Sequence, residues 1–501
     1  MSRQKRLAAF GVSLACVVAG IALVVTSQTV AQPPRPDLWK QVAEADRKGL
    51  PRTGIQALEP IIEGAIKDKA YPEAIKAIAK KINLEGNIEG NKPEEKITRM
   101  QAEIANRPAE MKPVMTAILA HWYWHYFQQN RWRFVQRTQT GSTPGEDILT
   151  WDLPRIFAEI DKTFEKALGS EKELQATPVA QYDILLEKGT IPDKFRPTLF
   201  DFLAFDAISF YASAEQAGAK PQDSFELMAD SPIFDSVEKF RAWEPRSTDA
   251  DNRTIKGIKL FQKLLAFHQN DKDNSALLDV DLHRLRFGHN KAVGPNKNAR
   301  YKAALEAFAK ANAKHELAAM AQFQLASVIQ GEGDLVKARE VAIAGMKAFP
   351  ESPGGKLCFN VVQDIEAKSS SVTTERVWAE PLPDLRVTYK NITKVYFRVV
   401  KADYVERLKK AQWRPEHLNQ QEAKALIGMD PVLTFEHNLP ATTDYKSRTE
   451  SVPAPKGLKP GFYYASRATT KTLRAARPSH QRLLRRRYLH RRSAGLQQRH
   501  R

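Results

Sequence analysis

Cysteine is nearly absent: the 501-residue chain has two, Cys16 and Cys358. Cys16 lies inside an N-terminal apolar run. A chain that has lost this run keeps one thiol and forms no intrachain disulfide, so its stability must come from burial. There is also no C-x-x-C, no G-x-S-x-G and no glycine loop ending in Lys-Ser/Thr. The redox, serine-hydrolase and P-loop motifs are therefore missing. Cys358 has no evident His partner, and nothing in the sequence supports a thiol nucleophile.

Acid is absent from the C-terminal stretch. Residues 467–501 hold twelve Lys/Arg and no Asp/Glu. The net charge of +19 is thus unevenly placed. Removing these twelve, and Arg3, Lys5 and Arg6 of the leader, leaves +4 for the body, whose charges are interspersed. Charge alone does not make the body a nucleic-acid binder. The tail has no apolar period that could supply strands. It is expected to be a disordered or out-of-frame tail, with a functional basic arm as the competing reading.

The N-terminus reads as an export signal spanning 1–31. A basic start is followed by nineteen uncharged residues, 7–25, and a small residue at Ala31 precedes Gln32. Cleavage would start the mature chain at Gln32. The alternative is an uncleaved membrane anchor, because nineteen residues just span a bilayer. Either way the body is expected to be exported, in the periplasm or anchored on the non-cytoplasmic side.

From 37 to 368 the apolar spacing is helical, as at Ile75, Ile78 and Ile82. Gly49 and Pro51 stop one helix, and Tyr71–Pro72 divides the next two. Further helices are expected around 154–168, 198–217 and 254–270. Many helices with short loops predict stacked pairs rather than one bundle. Ala304, Phe308 and Ala311 recur thirty-four residues later as Ala338, Ala342 and Gly345, with Leu325, Ala326 and Ile329 between them and Pro350 at the close. That is the tetratricopeptide pattern of small and large residues. Residues 365–375, IEAKSSSVTTE, read as a short polar linker. Beyond it, Val387, Tyr389, Ile392, Val395, Phe397 and Val399 are β-formers, and an incomplete β-sandwich is expected over 376–466.

The densest chemistry is HWYWHYFQQNRWRF, 121–134. His121 and His125 share a helical face as in a zincin, but position 122 is Trp where a general base would be Glu, and no third ligand is near. Met111, Met115, Ile118, Trp122 and Tyr126 form a stripe into the same place, and the helix is apolar nearly all round. The expectation is a packed aromatic core with the imidazoles as hydrogen-bonded edges. Arg131, Arg133 and Arg137 then form a solvated or carboxylate-paired helix end. DKDNSALLDVDL, 271–282, fails as a calcium loop, because Ala276 replaces the turn glycine and Leu282 the bidentate Glu. Asp279 and Asp281 read instead as the polar side of an amphipathic stretch. GEG at 331–333 is a turn between helices, and Asn391–Ile392–Thr393 is a sequon with no eukaryotic context. No catalytic, cofactor-binding or metal residue is assigned, and no cofactor is expected.

Several stretches in order, LWKQVAEADRKGLPRTGIQALEPI, HWYWHYFQQNRWRFVQRT with DILTWDLPRI, FRPTLFDFLAFDAISFY, LLDVDLHRLRF and RVTYKNITKVYFRVVK, resemble the N-terminal part of bacterial alpha-2-macroglobulin-like proteins. The resemblance covers roughly 37–464. It implies a helical region before a first macroglobulin β-sandwich, in exported proteins that entrap proteases through a bait segment and a Cys-x-Glu-Gln thioester. Neither device is recognisable here, and Cys358 is followed by Phe-Asn-Val. The expected role is a non-enzymatic segment, scaffold or interaction surface, with proteases as protein partners. The alternative is a tetratricopeptide-type scaffold of the cell envelope.

Overall fold

The computed structural model describes residues 34–90, 92–136, 145, 147–213, 225–249, 251–375, 377–411, 418–469 and 482–486. The leader and most of the basic tail lie outside the described residues, as does Arg137. Among the described residues no helix is long and apolar enough to cross a membrane. The chain divides into two compact units. The first comprises 1–225 and 244–280, the second 226–243 and 281–501.

The first unit is helical. It begins with α1 (Arg35–Arg47), α2 (Pro51–Lys67), α3 (Tyr71–Ile88) and α4 (Pro93–Asn106). Proline in the first turn starts each of the four, where its missing N–H costs nothing. Gly49 at φ 66° makes the turn between α1 and α2 that an L side chain resists. Ile75, Ile78 and Ile82 are buried, as their spacing predicts. Next come α5 (Lys112–Gln129), the short α6 (Arg131–Gln136), α7 (Leu153–Ala167), α8 (Glu171–Ala176) and α9 (Leu199–Ala212). The second unit contributes α10 (Val237–Ala242), and α11 (Arg253–His268) returns to the first. α12 (Ser275–Lys291) begins in the first unit and continues in the second.

In the second unit α13 (Lys297–Ala311), α14 (Leu317–Gly331), α15 (Leu335–Ala348) and α16 (Pro353–Glu366) pack in succession, with α14 touching α16 as well as α15. Gly333, φ 87°, turns the chain between α14 and α15. Ala338, Ala342 and Gly345 are buried. A Cβ at Gly345 would stand 2.6 Å from the Cys358 sulfur. The thirty-four-residue correspondence is incomplete: Phe308 is buried like Ala342, but Ala311 ends its helix exposed.

The polar stretch expected to be a linker is a strand. β1 (Ser369–Thr373) pairs antiparallel with β3 (Leu385–Lys390), and β3 with β6 (Arg448–Val452). The β-domain therefore starts at Ser369 rather than 376. Its Ser/Thr character suits an edge strand with one face in water. The second sheet has the order β2-β8-β7-β4-β5. Its strands are β2 (Val377–Trp378), β4 (Lys394–Ala402), β5 (Leu433–Asn438), β7 (Gly461–Ala468) and β8 (Arg482–Arg486). All pairs are antiparallel except β2–β8. Leu385, Val387, Tyr389 and Val452 from one sheet join Val395, Phe397, Val399 and Tyr463 from the other in one apolar cluster.

Two further expectations are corrected here. The segment is not all-β, because α17 (Tyr404–Ala411) and α18 (Gln420–Gly428) lie between β4 and β5. Asn419 and Glu422 form a reciprocal capping box that starts α18. Leu426 then packs with Val400, Phe462 and Tyr464 in a second apolar cluster. The stretch after 466 is not strandless either, since β7 runs to Ala468 and β8 pairs with both β7 and β2. Backbone groups on an open strand edge can recruit a segment that carries no apolar alternation.

Candidate functional site

The aromatic segment packs as a core on one side only. In α5, Tyr123, Tyr126 and Phe127 are buried, Trp122 and Trp124 half-buried, and His125 exposed. The stripe splits likewise: Met111, Met115 and Tyr126 are buried, Ile118 and Trp122 half-buried. Trp132 is 65 % exposed. The helix is therefore not enclosed all round. Phe127 lies 4.7 Å from Phe157 between ring centres, and Tyr123 stacks on Trp151 at 5.6 Å. The Tyr123 hydroxyl accepts from Gln101 Nε2 at 2.8 Å, and its burial raises its pKa.

The two histidines take separate partners. His121 Nε2 meets Asp206 Oδ2 at 3.0 Å, with the ring stacked on Trp124 and edge-on to Phe164. His125 Nε2 meets Gln129 Nε2 at 2.8 Å. Among the described residues no group of three or more His, Cys, Asp or Glu is arranged to hold a metal ion. Arg131 stands exposed at the helix end.

Buried charge sits elsewhere, at residues the sequence reading passed over. His268, 1 % exposed at the last position of α11, meets Asp201 Oδ1 through Nε2 and Asp271 Oδ2 through Nδ1, both at 2.7 Å. Burial works against the imidazolium. The hydrogen bonds and charges of Asp201 and Asp271 outweigh it and raise the His268 pKa. Asp201 also closes the capping box of α9 with Thr198. The carboxylate thus sits at one helix N-terminus and the cation at another helix's C-terminus, where each helix dipole favours it. Buried Asp161 accepts from the Tyr211 hydroxyl at 2.9 Å and from Lys256 Nζ at 2.6 Å.

Asp279 and Asp281 are not a solvated face. Asp279 meets Arg196 Nε at 3.3 Å, and Asp281 accepts from Arg284 Nε at 2.9 Å. Arg284 is 2 % exposed, donates also to the Ile233 and Asp235 carbonyls, and stacks over Phe240. The Asp279–Arg196 pair and the Arg284 bonds to the Ile233 and Asp235 carbonyls tie separate segments together. Cys358 is buried, its sulfur 3.4 Å from the Ala319 carbonyl and its pKa pushed up to about 11 by burial, which suppresses the thiolate. Asn391 spends its side-chain amide on the Ile365 and Ala367 carbonyls.

The first unit also carries a cleft of about 820 Å³. It is built from the α2–α3 turn, Ala109–Met111, α8 and Val179–Tyr182. Tyr71, Leu174, Tyr182 and Ile184 give it apolar surface, and Glu73, Glu110 and Glu173 give it carboxylates. Glu73 is already engaged by Arg35 Nε and Trp39 Nε1, each at 2.9 Å. Desolvation, together with the charge of Glu110, raises the Tyr71 pKa. No sequence motif marks the cleft, because its walls come from segments far apart in the chain.

No known family model matches the chain, and no curated protein matches it.

Proposed function

We propose that the chain is a non-enzymatic, exported, protein-binding segment of an alpha-2-macroglobulin-like protease inhibitor. The observation that supports this reading is the order of the architecture. A helical region leads into a small, mainly antiparallel two-sheet domain beginning at β1, as the sequence resemblance implies. The buried ion pairs are consistent with a scaffold, since Asp201 is spent on His268, Asp161 on Lys256 and Asp279 on Arg196, each joining separate segments. The β-domain is, on this reading, a first macroglobulin domain, and the leader directs the chain to the periplasm or anchors it in the membrane. The test is a pull-down with the immobilised full chain against purified serine, cysteine and metalloproteases. Stoichiometric retention of at least one class is expected, and retention of none would refute the proposal.

A second reading is a tetratricopeptide-type envelope scaffold. It draws on the successive packing of α13 to α16 and on buried Ala338, Ala342 and Gly345. It predicts no retained protease in the same pull-down.

A further inference from the structure

A strand at the end of a sheet keeps one row of backbone donors and acceptors without a ladder, and natural proteins cover or spoil such edges. Among the described residues four strands of the β-domain have a single neighbour: β1 and β6 in one sheet, β2 and β5 in the other. Three of these edges are spoiled. β2 is two residues long. The Arg467 guanidinium donates to the Ser370 carbonyl of β1. β6 turns charged Arg448 and Glu450 to its half-buried side. β5 has none of these devices. Leu433–Asn438 contains no proline, lysine or arginine, and it pairs with β4 residue for residue, without a bulge.

The free groups follow from the ladder. The Leu439 N–H donates to the Thr393 carbonyl at 2.8 Å, and Asn438 stands opposite Lys394. Backbone groups alternate in direction along an antiparallel strand. Leu433, Phe435 and His437 therefore turn theirs to β4, and Thr434, Glu436 and Asn438 turn theirs outward. Among the described residues nothing bonds to that outer row. Leu433 and Phe435 pack against the apolar cluster between the sheets yet stay half-buried, and Phe435 stacks on Phe397 with ring centres 4.5 Å apart. A second β5 fits this row, and the side chains choose its register. Strands related by a two-fold axis perpendicular to the sheet pair antiparallel, and opposing residues share a face. The two registers of greatest overlap are centred on Glu436 and on Phe435. The first sets the two Glu436 carboxylates against each other, which like charge disfavours. The second sets Phe435 against its own copy, at a position without mutual hydrogen bonds where side chains come closest. Thr434 then meets the partner's Glu436, and Leu433 meets the partner's His437. Phe397 and Phe435 of both copies form one row of rings across a continuous sheet.

We infer that two copies of the chain associate edge to edge through β5, antiparallel about Phe435, joining their sheets into one. The occupant is a second copy because the edge complements itself in that register. One strand pair buries less than the roughly 1,200–2,000 Å² of a stable interface, so the dimer is weak and reversible. It is independent of protease binding.

Sedimentation equilibrium of the full chain, up to about 300 μM, should show a monomer–dimer equilibrium. Thr434 is exposed, so its substitution reads the register without disturbing the core. Thr434→Lys sets an ammonium opposite the partner's Glu436 twice per dimer and should tighten association about threefold or more. Thr434→Glu sets like charges there and should weaken it by a similar factor. Glu436→Gln should erase the difference between those two variants. Thr434→Pro removes an outward N–H, which an edge strand tolerates, and should abolish the dimer with the circular dichroism spectrum unchanged. A chain that stays monomeric over the whole range, association that continues beyond two copies, or a dimer indifferent to the sign of charge at position 434 would overturn the inference. Protease retention is measured on the same preparation, so a failed dimer with an intact protease complex removes this inference and leaves the function standing.

Discussion

Replacing His268 with Ala removes the cation from between two carboxylates, one of which, Asp201, is fully buried. Deleting one partner of a buried pair leaves an uncompensated charge and costs about 3–5 kcal/mol. For a unit of this size, about 2–4 °C per kcal/mol converts this to a fall of roughly 6–20 °C in the transition that reports the first unit. Thermal unfolding followed by circular dichroism at 222 nm reads it. The double variant Asp201→Asn with His268→Gln discharges both partners, and Asn keeps the oxygen that caps α9. It should recover about half the loss or more.

The pH dependence has a definite sign. The His268 pKa is raised above its ordinary 6.5, so the folded state binds the proton more tightly than the unfolded chain. The stabilisation is complete below pH 6.5, declines as pH rises toward the elevated folded value, and is gone above it. His268→Gln should therefore lose less stability than the parent chain between pH 6.5 and 9. A His268→Ala loss below about 1 kcal/mol, or a parent chain that gains stability relative to His268→Gln over that interval, would refute the reasoning.

Three other outcomes follow from the packing. Thr198→Ala removes half of the α9 capping box and should cost about 0.5–2 kcal/mol in urea unfolding. Gly354→Ala puts a Cβ 2.3 Å from the Met320 backbone nitrogen, so a helix must move, and about 1–3 kcal/mol should be lost. Cys358, buried and with its pKa near 11, should react with a disulfide reagent at pH 8 only after denaturant is added; rapid labelling of the native chain would contradict its placement.

The helical region was legible because period and punctuation agreed. Isoleucines at spacings of three and four, proline in first turns and Gly49 at a positive φ all act locally. The alternation of β4 was legible for the same reason. What escaped was non-local. SSSVT reads as a polar linker until β3 is seen beside it, because an edge strand needs only one apolar-facing side and a partner. β8 was hidden likewise, its place set by the open edge of β7. Asp279 and Asp281 read as solvated acids because Arg196 lies eighty-three residues from Asp279 and because Arg284, though only three from Asp281, gives no sign of its own burial. The Asp201–His268 pair is sixty-seven residues apart. Its one local trace was Thr198–x–x–Asp201, a capping signature that reports the helix start and not the histidine. The aromatic run announced a core but not its sidedness, since Trp and His occupy both buried and half-wet positions.

On the function proposed above, the chain binds proteases and is itself non-enzymatic. Sedimentation velocity of the full chain mixed with each purified protease tests this most directly. A faster-sedimenting, stoichiometric complex with at least one protease class is expected. Unchanged sedimentation of chain and protease in every mixture would contradict it.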